Sequence, residues 1–593
     1  MIVQELHKIQ HEHGYLPREE LIALANRTKT HLHSIQEVAS FFPHFRTEKP
    51  PATTVRVCRD MSCRLRASQQ LTQDLANAFP AGSSGGLKIE GVSCLGRCDR
   101  APAVCVEHGT HERYYLARDL RALVDVIKRT ADGNPPPPDT DAGLPVQAPE
   151  PWKIDCYAGD DSEPYRAVKR FIECSKSPEA EDQERARIIQ SLQTAGLLGM
   201  GGAGGRAYKK WADVREAKGD VKYVVCNGDE SEPGTFKDRE LLLRAPHLVV
   251  EGVILGGLYL RAERGYIYIR HEFEEQIEAV RAEIKRAQQM QCCGQNILNA
   301  GIDFDVEVFV SPGGYICGEQ TALIEAMEDK RAEPRNRPPE LQTNGLWNKP
   351  TLLNNVETLS WVPAIVLKED GQWFADEGAG EYLGRRFFSI SGDVAKPGAY
   401  EVPIGITLGK LIEDFAGGMR DGQPFKAIAL SGPSGGFLPR MLPVEQLSKR
   451  FVDKKCAGKT HFDLFDMEMD IGTTRQMGVM MGGGIVVYSE LADMVEAALA
   501  CSQFFRNESC GKCVPCRIGS QKLVEICADI AEGKSGPEAV FAEGGRQTLV
   551  EELADTMKLT AICGLGTVAS NPLSTLLTHF ADEVRDYLRT RFL

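Results

Sequence analysis

At 593 residues the chain is too long for one hydrophobic core, so roughly three to five domains are expected. With 42% hydrophobic and 26% charged residues the composition is that of a soluble globular protein, and a formal net charge of −14 argues against nucleic acid as the main partner. The N-terminus, MIVQELHKIQHEHGY, has neither a signal peptide's apolar region nor an Arg- and Ser-rich transit pattern, and the longest apolar stretch, Leu248–Leu260, is short and contains Glu251. A cytoplasmic chain without direct membrane insertion is therefore expected, in which 18 cysteines point to metal or redox chemistry rather than to a disulfide framework.

Residues 1–50 read as a helical unit, with amphipathic stretches at Ile2–Gln10, Arg18–Thr28 and Ser34–Phe42 broken by Gly14, Pro17 and Pro43. His11 with His13, and His31 with His33, raise a metal site, but residues two apart on a helix point to nearly opposite sides, so none is expected. In residues 51–131, TTVRVC alternates as a strand ending at Cys58, and Cys63 follows five residues on. After a helix and a Ser/Gly turn, VSCLGRC brings Cys94 and Cys98. C-x4-C and C-x3-C, each after a strand-like run, can converge from neighbouring loops as a ligand set for an iron–sulfur cluster or for zinc. Cys105 lies in an apolar strand and reads as core. Residues 132–151, DGNPPPPDTDAGLPVQAPEP, form a linker whose consecutive prolines favour extended geometry.

Residues 152–385 alternate strand-like runs (YVVC, GYIYIR, FDVEVFV) with helical ones in an α/β layout. The stretch LLGMGGAGGRAYKKW carries Gly199, Gly201, Gly202, Gly204 and Gly205. Glycines let backbone N–H groups approach an anion, with Lys210 beyond to meet a phosphate; the same run also reads as a flexible loop, and its spacing is not the dinucleotide fingerprint. Strand Tyr223–Cys226 then ends in the polar turn Asn227-Gly228-Asp229-Glu230-Ser231-Glu232-Pro233-Gly234, where α/β sheets hold ligands. A second turn, Gly318-Glu319-Gln320, opens a helix with Thr321 near its start, an N-terminus that favours phosphate or a polarised group. Asn354 and Asn355 end a short apolar run, and their amides can read the edge of a heterocycle.

Residues 386–475 read as a β-rich hairpin, turning at Lys396-Pro397-Gly398, followed by a helix, with no visible chemistry. Residues 486–593 read as helical, with amphipathic runs at Leu491–Phe505, Gln521–Ala531 and Leu573–Leu588. Within them ESCGKCVPCRIGS places Cys510, Cys513 and Cys516 at C-x2-C-x2-C, with a remote Cys563 in AICGLGT, the spacing typical of a four-iron cluster; zinc is the alternative. Cys501, Cys527, Cys456, Cys292 and Cys293 fit no ligand pattern.

Together these motifs closely resemble the NADH-binding flavoprotein subunit of respiratory complex I and the diaphorase subunits of NAD-reducing hydrogenases and NAD-dependent formate dehydrogenases. The glycine loop and NGDESEPGTFKDR resemble that family's FMN-binding segments, SCGKCVPCR matches its 4Fe-4S motif almost letter for letter, and FFSISGDVAKPGAYEVPIGITLGKLIEDFAGG resembles its ubiquitin-like domain. HGYLPREELIALA and CLGRCDRAPAV resemble the thioredoxin-like two-iron subunit, here fused N-terminally.

The resemblance implies an α/β multidomain chain: a helical head plus thioredoxin-like domain, an α/β FMN domain, a β-grasp domain and a C-terminal helical bundle. It implies a 2Fe-2S cluster on Cys58, Cys63, Cys94 and Cys98, and a 4Fe-4S cluster on Cys510, Cys513, Cys516 and Cys563. Gly199, Gly201 and Lys210 match the FMN phosphate loop; Asn227, Asp229, Glu230 and Ser231 match the turn on ribityl and isoalloxazine; Gly318, Glu319, Asn354 and Asn355 match the rest of the flavin pocket. Glu232 matches a carboxylate on the NADH ribose, and Gln320 lies near flavin and nicotinamide.

FMN carries the chemistry, exchanging hydride with NAD(H) and single electrons with the clusters, so no protein nucleophile is expected. Partners would be other redox subunits: a ferredoxin-like iron–sulfur subunit and a hydrogenase, formate dehydrogenase or complex I-like module, through which any contact with the inner face of a membrane would come. The chain departs from the family at Met200, at Gly205 and Arg206 in place of an aromatic and a proline, at Arg337 and Glu340 in place of a lysine and a second aromatic, and at Gln320 in place of a glutamate. The two lost rings motivate a competing reading, an electron-transfer adaptor that does not bind NADH productively. A zinc-stapled scaffold without redox activity is the third.

Overall fold

The computed structural model describes residues 1–80, 86–139, 151–159 and 163–591. The Ser/Gly turn expected before Cys94 and most of the proline-rich linker, residues 140–150, lie outside the described residues. No single helix among the described residues is long and apolar enough to cross a membrane.

Three helices, Ile2–His13, Arg18–Thr28 and Leu32–Phe41, pack through Val3, Leu6, Leu24 and Ile35. The third starts before the stretch predicted by periodicity, because His31 is an extended N-cap residue. His31 therefore does not project from the helix at all, and its ring stacks on His33 with centroids 5.4 Å apart, contrary to the opposed orientation expected of a helical pair.

Strands β1 (Thr53–Cys58), β2 (Leu87–Val92), β3 (Ala103–His108) and β4 (His111–Leu116) form a sheet in the order β2-β1-β3-β4, with only β1 and β2 parallel. That parallel pair explains why the cysteines converge. Cys58 is registered against Val92, so the loops carrying Cys63 and Cys94 leave the same edge side by side. The first linker prolines fold back on this sheet, where the Tyr115 hydroxyl donates to the Pro137 carbonyl at 2.5 Å.

Strands β5 (Tyr223–Gly228), β6 (Arg264–Arg270), β7 (Asp305–Ser311) and β8 (Thr351–Asn355) form an all-parallel sheet in the order β7-β6-β5-β8. Its apolar strands are covered by helices, as parallel sheets require. The helix Pro246–Leu260 is buried along its length and approaches the helix Val356–Leu367 so closely that a Cβ on Gly252 would lie 2.2 Å from the Leu359 carbonyl. Its single acid, Glu251, accepts from the Tyr157 hydroxyl at 2.8 Å and the Ala167 N–H at 3.0 Å, so this apolar run is core.

A third sheet takes β9 (Arg385–Gly392), β10 (Gly398–Pro403), β11 (Phe425–Pro433), β12 (Leu438–Pro439) and β15 (Gly484–Ser489) in the order β10-β9-β15-β11-β12, with β13 (Met441–Pro443) and β14 (His461–Asp463) paired beside it. Its middle strand, β15, lies beyond residue 475, where the sequence reading ends this module. The C-terminal helices are Met494–Glu508, Val514–Ala531, Arg546–Thr560, Asn571–His579 and Ala581–Arg591, with shorter ones between. The run expected over Leu573–Leu588 is two helices that part at Phe580. Helix Arg546–Thr560 escapes periodicity because only Val550 and Met557 on it are buried. One apolar core joins the head, the parallel sheet, the third sheet and these helices through Leu6, Tyr268, Phe309, Tyr488 and Phe505.

Candidate functional site

The carboxyl ends of the parallel strands set Gly228, Arg270, Ser311 and Asn355 along one edge, the crevice where open α/β sheets hold ligands. The glycine loop arches over it. Leu198 and Arg206 bridge, the Gly199 N–H donates to the Gly205 carbonyl at 2.7 Å, and Gly202 and Gly204 take φ of +104° and +61°. A Cβ on Gly201 would press Asn355 at 3.2 Å, and one on Gly204 would meet Ile471 at 2.3 Å. The loop is thus wedged between β8 and the helix Ile471–Met477, whose Arg475 donates to the Ala203 carbonyl at 2.6 Å. Those contacts set aside the flexible-loop reading.

Lys210, in the helix Ala207–Glu216, reaches the Leu353 carbonyl at 2.6 Å, and no carboxylate among the described residues pairs with it. Burial, with Arg337 nearby, lowers its pKa to about 8, the state of a cation lacking its anion. A glycine cradle and an ammonium without a carboxylate partner together fit a phosphate. Arg337 donates to Glu319 at 2.6 Å and, with the Gln320 amide turned so that its oxygen faces the guanidinium, to that oxygen at 2.7 Å.

The polar turn is braced from every side. Asn227 donates to the Gly318 carbonyl at 2.9 Å, and a Cβ on Gly318 would lie 3.1 Å from the Asp229 carbonyl, so that crossing favours glycine. Asp229 accepts from Ser311 at 2.9 Å and Ser231 at 3.0 Å, and burial pushes its carboxyl up to about 7. Glu230 accepts the N–H groups of Asp238 and Arg239 at 2.9 and 3.0 Å, so its carboxylate is engaged by the start of the helix Lys237–Arg244; burial, with Asp238 close by, pushes it up to about 8. Glu232 accepts the Ser434 N–H at 3.1 Å and is pushed up to about 7 by burial.

Several expected ligand groups are committed to the scaffold. Glu319 caps the helix Gln320–Met327 through the N–H groups of Thr321 and Ala322, both at 2.9 Å, so the N-terminus expected to favour a phosphate is already filled by a carboxylate. The Asn354 carbonyl oxygen accepts from the Trp211 indole at 3.0 Å; Asn355 caps the helix Val356–Leu367 and donates to Asp238 at 2.5 Å. Sequence reasoning missed Lys237, 2% exposed, which pairs with Asp238 at 2.6 Å and Glu357 at 2.9 Å beneath Asn355. A lysine between two later acids carries no local periodic signal.

Both cysteine sets converge. Cys58, Cys63, Cys94 and Cys98 are buried; Cys63 and Cys94, with burial, push the Cys58 thiol well up, and the Cys94 and Cys98 sulfurs lie 3.4 Å apart. Four crowded thiols without a disulfide fit a cluster. This site abuts the polar turn: the Gly234 N–H points at Cys98 Sγ at 3.3 Å, Phe236 packs on Cys94 and Cys98, and Arg270 joins the Glu230 carbonyl to that of Cys94 at 2.7 and 2.9 Å. Cys510, Cys513, Cys516 and Cys563 line a second cavity with Ile316 and Pro334. Burial pushes Cys516 up to about 11 and Cys563 up to about 12. Cys105 is core as expected; its sulfur lies near Glu107 and Glu112, but the Arg56 guanidinium stands among them, 3.4 Å from the sulfur and 3.0 Å from Glu112.

Known families match along the chain: the thioredoxin-like 2Fe-2S ferredoxin over residues 1–128, the Nuo51 FMN-binding domain over 192–364, the SLBB domain over 387–438 and the NADH-ubiquinone oxidoreductase-F iron-sulfur binding region over 496–587. The chain is 39% identical to NADP-reducing hydrogenase subunit HndC of Solidesulfovibrio fructosivorans over 401 residues, 67% of this chain and 75% of that one. It is 33% identical to an NADH-quinone oxidoreductase subunit of Escherichia coli over 454 residues, 75% of this chain and 95% of that one. Among solved structures, a chain of the NAD+-reducing NiFe-hydrogenase in its air-oxidised state aligns with a TM-score of 0.80 at 28% identity, covering 99% of this chain and 93% of that one.

Proposed function

This chain belongs to the family of FMN-binding NADH-quinone oxidoreductase subunits, and from that premise we propose how its residues share the work of an NADH dehydrogenase-type flavoprotein. It uses FMN with a 2Fe-2S and a 4Fe-4S cluster, and family members operate with other redox subunits of complex I or of NAD-reducing hydrogenase. FMN, when bound, takes the hydride pair from NADH and gives up electrons singly.

In this reading Gly199, Gly201 and Lys210 hold the flavin's phosphate, the turn Asn227–Ser231 with Gly318, Glu319, Asn354 and Asn355 forms the pocket around its ring and ribityl chain, and Glu232 meets the nucleotide ribose. The carboxylates of Glu230 and Glu319 and the amide of Asn355 shape the backbone that faces the ligand. Cys58, Cys63, Cys94 and Cys98 hold the two-iron cluster, and Cys510, Cys513, Cys516 and Cys563 the four-iron one. The domains follow as a helical head, a thioredoxin-like unit, the FMN unit, a β-grasp unit and a helical bundle.

The observation that carries the assignment is the polar turn's position between the two cysteine sets. Gly234 and Phe236 touch one set, while the other is lined by Ile316, two residues from the Gly318 that Asn227 grips. On this reading the flavin would lie between the two clusters. A partner redox subunit would dock where Val514, Ile518 and Leu559 stand exposed beside the second set.

Anaerobic addition of NADH to the cluster-loaded chain should bleach flavin and iron–sulfur bands together; bound FMN that NADH leaves oxidised would refute the reading and favour the adaptor. Lys210→Ala should weaken FMN binding about tenfold, the worth of one charge-assisted hydrogen bond; unchanged flavin content at limiting FMN would remove Lys210 from the phosphate site.

A further inference from the structure

Arg270 ends β6 at the carboxyl edge of the parallel sheet, and its buried guanidinium joins two modules. Nη1 donates to the Glu230 carbonyl of the polar turn at 2.7 Å, and Nη2 to the Cys94 carbonyl of the cysteine loop at 2.9 Å. Glu272 takes the Nε–Nη2 edge at 3.0 and 2.6 Å. The guanidinium is locked in place. The Phe273 ring centroid lies 5.1 Å from its carbon, and Gly96 of the cysteine loop, at φ +69°, presses from the other module: a Cβ there would lie 2.7 Å from the Phe273 ring and 3.6 Å from Arg270 Nη1. A second buried arginine, Arg239, reaches the same loop at the Gly96 carbonyl, 2.6 Å away, but two acids match it, Asp99 at 2.9 Å and Glu240 at 2.8 Å. Arg270 has one ion-pair partner and lies against the backbone of a cysteine.

Resting on the assignment of Cys58, Cys63, Cys94 and Cys98 as the two-iron ligands, we propose that Arg270 is a positioning residue that raises the reduction potential of that cluster, holding a fixed positive charge against the Cys94–Cys98 loop while tying the loop to the flavin turn. When the cluster takes one electron from the reduced flavin, one iron passes from ferric to ferrous, no bond forms or breaks, and the site gains one negative charge, which a neighbouring cation stabilises. The carbonyl that Arg270 grips is a few bonds from the Cys94 sulfur. A unit charge within roughly 10 Å, at an effective dielectric of about 20, shifts a one-electron equilibrium by about tenfold or more. Burial keeps solvent and salt from screening that field strongly, and Glu272 offsets part of it.

The test is a redox titration of the cluster-loaded full chain, followed by electron paramagnetic resonance at the two-iron signal. Arg270→Gln should favour the oxidised cluster about tenfold, a fall of about 59 mV for one electron. Glu272→Gln should shift the potential upward, because it leaves the guanidinium without its counter-charge. Arg270→Lys keeps the charge and should stay within about threefold of the unmodified equilibrium. A strut without an electrostatic role would not move the two Gln variants in opposite directions. If Arg270→Gln does not assemble the cluster, Glu272→Gln and Arg270→Lys decide between the outcomes. A potential unchanged in either Gln variant, or one as low in Arg270→Lys as in Arg270→Gln, would overturn the inference. Cys94→Ala should lose the two-iron signal; if it kept the signal, the ligand assignment would fall and the inference with it, whereas its loss beside an unmoved Arg270→Gln potential would overturn the inference alone.

Discussion

Cys58, Cys63, Cys94 and Cys98 are between 1% and 6% exposed and lie behind a fully buried Phe236, whereas Cys510, Cys513 and Cys563 are half-buried beside Leu559, which is 82% exposed, and Ile518, which is 60% exposed. The first set is sealed at the meeting of two sheets: Ser62 reaches Ser391 of the third sheet at 2.9 Å, and Arg239 pairs with Asp99 at 2.9 Å. The second stands at the surface within an apolar collar. Burial by itself does not stop electron transfer, but an open set beside exposed apolar side chains is the one placed to meet a docked partner. On the proposed ligand assignment, the open four-cysteine set is the one that faces a partner and the sealed set faces the interior of the chain.

Cys513→Ala breaks the comparison most severely. It should abolish the four-iron signal in electron paramagnetic resonance and stop electron delivery to a partner, yet leave the two-iron signal and NADH-driven flavin reduction in place. If flavin reduction disappeared too, with FMN content and folding normal, the two sets would not be separate branches. On the sealed side, Phe236→Ala should cost about 3 kcal/mol through the cavity it leaves, measured by denaturant unfolding, and should open the two-iron set to chelators while the four-iron set keeps its metal. A change below about 1 kcal/mol would mean that packing of this ring is not what seals the site.

How much of this was legible beforehand follows from the range of each signal. C-x2-C-x2-C, the glycine loop and the parallel strand runs are local patterns, and each lies where spacing and periodicity put it. The head helices and the first strand, TTVRVC, were likewise readable from breakers and alternation, whereas the rest of that sheet followed only from the resemblance. The contacts that join the modules were not. Gly234 to Cys98 spans 136 residues and Arg475 to Ala203 spans 272, and neither residue type marks its partner. Glu230 and Glu319 read as ligand groups because a polar turn does not reveal which carboxylates will cap a nearby helix. Most of strand β15 was read into the C-terminal helical segment that starts at residue 486, because its mates, β9 and β11, lie far before it in the chain.

The sealed side also rests on histidines. His7 and His44 of the head face His271 at the end of β6, with ring centroids 5.0 Å apart for His7 and His44 and 3.8 Å for His44 and His271. Glu272 and Glu112 attract positive charge here, while Arg56, Arg46 and Arg270 repel it. Burial wins, holding all three pKa values down, His7 to about 3. Depressed histidines favour the folded state fully above their ordinary value of 6.5 and lose that contribution as pH falls below it, so at pH 5 His7 alone should cost about 2 kcal/mol. Thermal melts between pH 7 and 5 should show the two-iron signal lost before the four-iron one, and His7→Gln should flatten the slope. A melt independent of pH over that range would remove the histidines from the clamp.

The smallest expected effect on folding is on the open side. Ile518 is 60% exposed, so Ile518→Ser should change unfolding free energy by less than about 0.5 kcal/mol, where Phe236→Ala costs several times that. Its consequence should lie in docking. An apolar side chain that becomes the buried centre of an interface is worth about 1–2 kcal/mol on truncation, so the redox subunit that accepts electrons from this chain should bind about tenfold more weakly, while a small soluble acceptor is reduced at the unmodified rate. Equal slowing with both acceptors would mean that the substitution disturbed the four-cysteine loop itself; no slowing with either would move the docking face away from the collar, and the contrast between a sealed and an open cluster would then rest on burial alone.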